Sequence, residues 1–181
     1  MRYISLLFCV LLFACDPPPE PPKEEMIDLL IENGSVYDRA TNSFIKKDIS
    51  IVGETIVAVG DKLNLRSRKT INAEGYLVAP GFIDTHTHAL NDLSHSKRKE
   101  NLNYLFQGVT TVMTGNDGGG PVDTKSTLEK WEQEGIGTNA GLFAGHRSIR
   151  RLTMGMEDRP PTEEEFANMM TLMNRSMRAG A

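Results

Sequence analysis

Hydrophobic residues follow three regimes along the chain. Residues 1–15 (MRYISLLFCVLLFAC) hold an apolar run, Tyr3 to Ala14, behind a single positive charge at Arg2. From Met26 to Pro80 the apolar residues come in short β-branched runs with no helical periodicity, which predicts a small all-β module. IDLLIENGSVYD places Asn33-Gly34 between two apolar stretches, a hairpin signal; Asn33-Gly34-Ser35 also fits a glycosylation sequon. DISIVGETIVAVGD repeats the pattern around Gly53-Glu54, and KTINAEGYLVAPG adds Ile71, Leu77 and Val78 before a Pro-Gly break. After Gly81 the pattern alternates. GFIDTHTH, VTTVMTG and TNAGLFAGH read as strands. Between them lie a stretch with Leu102, Leu105 and Phe106 at packing spacing, closed by Gly108, and LEKWEQEG with Leu128 and Trp131 on one face. A last helix starts at Thr162, with Glu165 completing a capping box. Its Phe166, Met169, Met170, Met173 and Met177 form a stripe that fits packing on a sheet, or a special binding surface. Strands alternating with helices predict a parallel sheet.

The first apolar run is well short of the roughly 20 residues a membrane span needs. A charge, a short apolar stretch and a small residue before the break make a secretory signal. The ending LFAC, followed at once by DPPPEPPKEE, resembles the lipobox of bacterial lipoproteins. The resemblance implies cleavage of residues 1–14, lipidation of Cys15, and an exported chain anchored to a membrane by its lipid, facing the periplasm or the exterior. A plain cleaved signal with an incidental cysteine is the other reading. Residues 15–25 then form a proline-rich tether, which in polyproline conformation spans roughly 30 Å. With 20 Lys+Arg against 24 Asp+Glu the net charge is −4, which speaks against nucleic acid as a partner. The 2 cysteines cannot build a disulfide scaffold.

In parallel α/β folds, sites are built at the carboxyl ends of strands. GFIDTHTH ends in polar residues there. Side chains alternate along a strand, so Asp84, His86 and His88 share a face, and the two imidazoles can converge on one divalent metal. Spacing alone leaves this open, because a hydrogen-bonded core pair fits it too. GNDGGG lacks the lysine of a phosphate-binding loop, and GIGTNAG has the wrong spacing for a dinucleotide fingerprint. Asp117 within Gly115-Asn116-Asp117-Gly118 reads either as a turn residue or as a further ligand. His146 in GHRSIR ends the third predicted strand as a structural or a pocket residue, and His95 sits in a polar stretch that reads as solvated.

The string VAPGFIDTHTH after a β-rich module resembles the opening of the amidohydrolase superfamily. NLNYLFQGVTTVMTGNDGGG, and GHRSIRRLTMG followed by RPPTEEEFANMM, resemble its D-aminoacylase branch, the N-acyl-D-amino-acid deacylases. The similarity runs from about Asp28 to Ala181. It implies a small β-sandwich-like module over 26–80 and a metal-bearing (β/α)8 barrel from 81 on. It implies His86 and His88 as metal ligands, zinc as the metal, His146 near the pocket mouth, and a small N-acyl amino acid as substrate. The family's next ligand is a cysteine thiolate, and Asp117 stands in its place.

A complete barrel of this kind takes about 250 residues. The expectation for a chain of 181 residues is therefore an α/β fold with the first three β/α units of an incomplete barrel. The family's general base is expected beyond residue 181, leaving the chain inactive by itself. A non-catalytic, lipid-anchored binding lipoprotein is the alternative.

Overall fold

The computed structural model describes residues 26–181. The signal segment, Cys15 and the proline-rich tether lie outside the described residues. The chain falls into two compact units that divide between Ala79 and Pro80.

The first unit is built from β1 (Ile27–Asp38), β2 (Ser43–Val52), β3 (Thr55–Gly60), β4 (Ser67–Asn72) and β5 (Leu77–Val78). They form one sheet in the order β3-β2-β1-β4, with β5 also on β1. β2 runs antiparallel to β1 and β3, whereas β4 and β5 run parallel to β1. Among the described residues the unit is this single sheet, with no second sheet facing it. Ile27, Leu30, Ile49 and Ala73 are its buried apolar residues. Gly53-Glu54 makes the expected tight turn: Val52 pairs with Thr55, and Gly53 has φ +57°.

Asn33-Gly34 does not turn the chain. β1 continues through it, and the register against β2 shifts between Ile31 and Gly34, a bulge rather than a hairpin. Two contacts account for this. The Asp48 carboxylate accepts hydrogen bonds from the backbone N–H of Asn33 (2.9 Å) and of Leu63 (3.0 Å), so Asn33 is held with φ +62° off the ladder. Gly34 lies so close to β5 that a Cβ would stand 2.7 Å from the Val78 side chain.

The second unit runs in the order β6 (Phe82–Thr87), α1 (Leu90–Leu93), α2 (Leu102–Leu105), β7 (Val109–Thr114), α3 (Thr124–Glu134), β8 (Asn139–Leu142), α4 (His146–Met154) and α5 (Glu163–Arg178). The three strands make a parallel sheet, β6-β7-β8, as the alternating pattern predicts. Val112 in the central strand is fully buried and packs with Ala89, Leu93, Trp131 and Leu142. The Trp131 indole N–H donates to Ser94 Oγ at 3.0 Å, which lets a large ring be buried without stranding its polar edge.

Three expectations change here. The helix around Leu102 and Phe106 is a single turn, and both side chains are exposed. Asn101 (φ +52°) and Gly108 (φ +79°), both left-handed, bracket it. The stretch after the third strand is a helix, α4, so His146 opens a helix instead of ending a strand. The methionine stripe of α5 does not pack on the sheet as a stripe. Met169, Leu172 and Met173 pack on Ile149 and Met154 of α4 and on Val122, while Phe166, Met170 and Met177 are exposed among the described residues.

Candidate metal centre

At the carboxyl ends of β6 and β7, His86, His88 and Asp117 come together. His88 Nε2 lies 3.4 Å and His86 Nε2 3.8 Å from Asp117 Oδ2. The two imidazoles meet edge-on with ring centroids 5.8 Å apart. One donor atom from each residue lies within 4.8 Å of the other two, and all three side chains are exposed. Among the described residues this is the one such group of His, Cys, Asp or Glu.

The placement follows from the strand ends. Thr87 points inward between the two histidines and is buried; its hydroxyl donates to the Met113 carbonyl of β7 (2.8 Å). Thr114, also buried, donates to the Thr87 carbonyl (3.3 Å) and accepts from the Leu90 N–H (3.0 Å). The Asn116 amide clamps the same ends, donating to the carbonyls of Thr87 (3.1 Å) and Met113 (3.2 Å). The alternation of a strand thus sends Thr87 into the sheet and His86 and His88 out. Asp117 then leaves β7 in a left-handed conformation (φ +56°), which a short polar side chain tolerates. Behind it, the glycine run packs on the turn between β8 and α4. A side chain on Gly120 would collide with the Phe143 carbonyl, and one on Gly145 with the Gly120 carbonyl.

Asp84 does not join the triad, because its carboxylate accepts the backbone N–H of His86 at 3.1 Å. His146 is exposed at the start of α4 and also stands outside the triad. His95 is half-buried in a turn, where its Nδ1 accepts from the Lys97 N–H at 3.1 Å. Thr87, Thr114 and Asn116 are the positioning residues that sequence reasoning passed over. Arg147 is another residue it missed; it lines a cavity of about 340 Å³ together with His88 and Asp117.

The donor set fits a divalent metal. Two neutral imidazoles and a carboxylate are the composition of catalytic sites that keep a coordination position open. Tetrahedral zinc at 2.0–2.1 Å from each donor implies donor separations of about 3.4 Å. The two histidine–aspartate distances, 3.4 and 3.8 Å, stand close to that.

No protein-family model matches the chain. A D-aminoacylase of Alcaligenes xylosoxydans xylosoxydans is 30% identical over 177 residues, covering 85% of this chain and 36% of the relative. Solved D-aminoacylase structures, one of them concerned with the functional role of that enzyme's binuclear metal centre, superpose with a TM-score of 0.77 at 30% identity. They cover 86% of this chain and 37% of theirs. The N-acyl-D-glutamate deacylase of Bordetella bronchiseptica, solved with zinc and a phosphonate inhibitor, gives 0.74 at 23% identity over 85% of this chain and 37% of its own, a likeness of fold. The chain thus spans a little over a third of the length of the relatives it matches. By sequence and by fold its relatives are D-aminoacylases, N-acyl-D-amino-acid deacylases of the amidohydrolase superfamily, and it matches their N-terminal part.

Proposed function

We propose that this chain carries the first metal-binding part of a metal-dependent hydrolase acting on amide bonds, an N-acyl-D-amino-acid deacylase. The observation that supports it best is the meeting of His86, His88 and Asp117 at the ends of two parallel strands. His86 and His88 hold a divalent metal, zinc, and Asp117 is the third ligand. Such a metal supplies the Lewis acidity that polarises an amide carbonyl and lowers the pKa of water. Thr87, Thr114 and Asn116 keep the two strand ends in register so that the three donors stay together.

No fourth His, Cys, Asp or Glu joins the group among the described residues, so none is assigned the role of general base. β6, β7, β8 and their helices are the first three units of a (β/α)8 barrel in this reading, and the five-stranded sheet is one leaf of the sandwich. His146 and Arg147 stand near the pocket mouth, and the substrate is an N-acyl-D-amino acid. The chain is exported and held at a membrane through lipid on Cys15.

The test is a zinc titration of the 181-residue protein followed by calorimetry, with hydrolysis of N-acetyl-D-amino acids assayed in parallel. One zinc bound per chain is expected, with the affinity lowered roughly 100-fold or more in His86→Asn or His88→Asn, since even outer partners of a ligand cost about 10–100-fold. No amide hydrolysis is expected of these residues alone. Zinc binding that survives both substitutions sinks the reading.

A further inference from the structure

The register of β6 on β7 breaks at the strand end that carries the histidines. Asp84 pairs with Val112 and Thr87 with Thr114, so β6 advances three residues where β7 advances two. One extra residue therefore lies between Asp84 and Thr87, a β-bulge, which bends a strand and re-aims its side chains. Residues paired across two strands point to the same face of their sheet, so Thr87 shares the buried face of Thr114. In an unbroken register continued from Asp84 and Val112, His86 would stand opposite Thr114. Its imidazole would then turn to the buried face, and that of His88 with it, because a slip of one residue exchanges the faces. The extra residue leaves both imidazoles on the exposed side, where Asp117 meets them.

A bulge takes backbone groups off the ladder, and these need other partners. Here the partner is local. The Asp84 carboxylate accepts the His86 N–H at 3.1 Å, the turn that an aspartate or asparagine side chain closes with its own backbone two residues on. Asp84 thus begins the irregular stretch and supplies the acceptor inside it. At the far end the Asn116 amide donates to the Thr87 carbonyl at 3.1 Å, where the regular pairing resumes.

We propose that Asp84 is a positioning residue of the metal centre: its carboxylate holds the bulge that turns His86 and His88 toward Asp117. The inference rests on the metal-site reading above and adds the residue that sets the direction of two of its ligands. Asp84 acts through a hydrogen bond to the backbone, and the role makes no use of its charge. An asparagine keeps the accepting oxygen at the same reach. A glutamate keeps the charge, but its longer stem does not close a two-residue turn.

The test compares zinc affinity by calorimetry and the visible spectrum of the cobalt(II) form of the 181-residue protein, with a thermal melt of each metal-free variant. Asp84→Ala and Asp84→Glu should bind zinc roughly tenfold or more weakly, the cost of losing an outer partner of a ligand, and both should shift the cobalt spectrum. Asp84→Asn should stay with the parent in affinity and in spectrum. If Asp84→Ala does not fold, Asp84→Asn and Asp84→Glu decide between them. A parent-like Asp84→Glu beside a weakened Asp84→Asn means that charge acts and the turn does not, which overturns the inference. Parent-like behaviour of Asp84→Ala, equal weakening of all three variants, or a weaker affinity with an unchanged cobalt spectrum overturns it too, and each leaves the metal reading intact. Failure of the parent to bind zinc overturns the metal reading itself, and this inference with it.

Discussion

The most consequential single residue is Asp117. Its carboxylate sits within 3.4 and 3.8 Å of two imidazole nitrogens and is the sole non-histidine donor of the group. A carboxylate is a hard oxygen donor, whereas a thiolate is a soft one that favours zinc and leaves its mark on the spectrum of a bound transition metal. The donor set as it stands is two nitrogens and one oxygen. Asp117→Cys should therefore bind zinc more tightly than the parent, and its cobalt(II) form should gain a sulfur-to-metal charge-transfer band that the parent lacks. The backbone adds a condition, because residue 117 has φ +56° and a cysteine tolerates that conformation less well than an aspartate. A melting measurement separates that cost from metal affinity. A cobalt form of Asp117→Cys without the new band would show that residue 117 does not reach the metal.

At the scale of elements, α5 shows how local chemistry holds a helix whose apolar stripe is only partly used. Thr162 Oγ1 accepts the Glu165 N–H (3.2 Å) and Glu165 Oε2 accepts the Thr162 N–H (2.8 Å), the capping box read from the sequence. Arg159 closes on the same carboxylate with two hydrogen bonds, 2.8 and 2.7 Å. The Arg159 guanidinium first, and the Thr162 N–H after it, hold the Glu165 carboxyl down at about 2, against an ordinary 4.5. A lowered native pKa means that the unfolded chain takes up the proton first, so this stabilisation is complete above about pH 4.5 and lost as pH falls toward 2. Thermal melts between pH 5 and pH 2 should show that loss in the parent and a shallower one in Glu165→Gln. Equal slopes would mean that the pair does not stabilise the fold. Thr162→Ala should cost about 1 kcal/mol, the usual worth of such a cap.

The same elements show what was legible in the sequence. Capping box, strand alternation and the Gly53-Glu54 turn are local signals, and each appears in the fold where the residues place it. Asn33-Gly34 was misleading because its meaning depends on Asp48 and Val78, which lie far away in the sequence and turn a hairpin signal into a bulge. α4 was missed because HRSIRRLTM buries only Ile149 and Met154, and its N-cap Gly145 supplies no capping side chain. The histidine pair could be read from period-two spacing, but the neighbourhood of Asp117 depends on β6 pairing with β7. Arg147 gave no signal of its own, since nothing local tells that the helix whose first turn carries it packs against the glycine run.

At the scale of the whole molecule stands the proposed attachment to a membrane. No helix among the described residues is long and apolar enough to cross one. The net charge of −4 gives anionic headgroups no overall attraction. What the sequence offers instead is Cys15, placed between an apolar run and a proline-rich segment. Covalent acyl chains bind through the hydrophobic effect, and two of them give a stable anchor where one gives only reversible attachment. Such an anchor resists salt, unlike an electrostatic one, which weakens as ionic strength rises. Expressed in a bacterial host, the parent should therefore stay with the membrane fraction in high salt and move to the detergent phase on partitioning. Cys15→Ser should leave both. The same substitution should leave zinc binding unchanged, since every donor of the triad lies in the second unit. If Cys15→Ser stays in the membrane fraction, lipid on this cysteine is not the anchor; if it loses zinc, the metal site is not confined to the second unit.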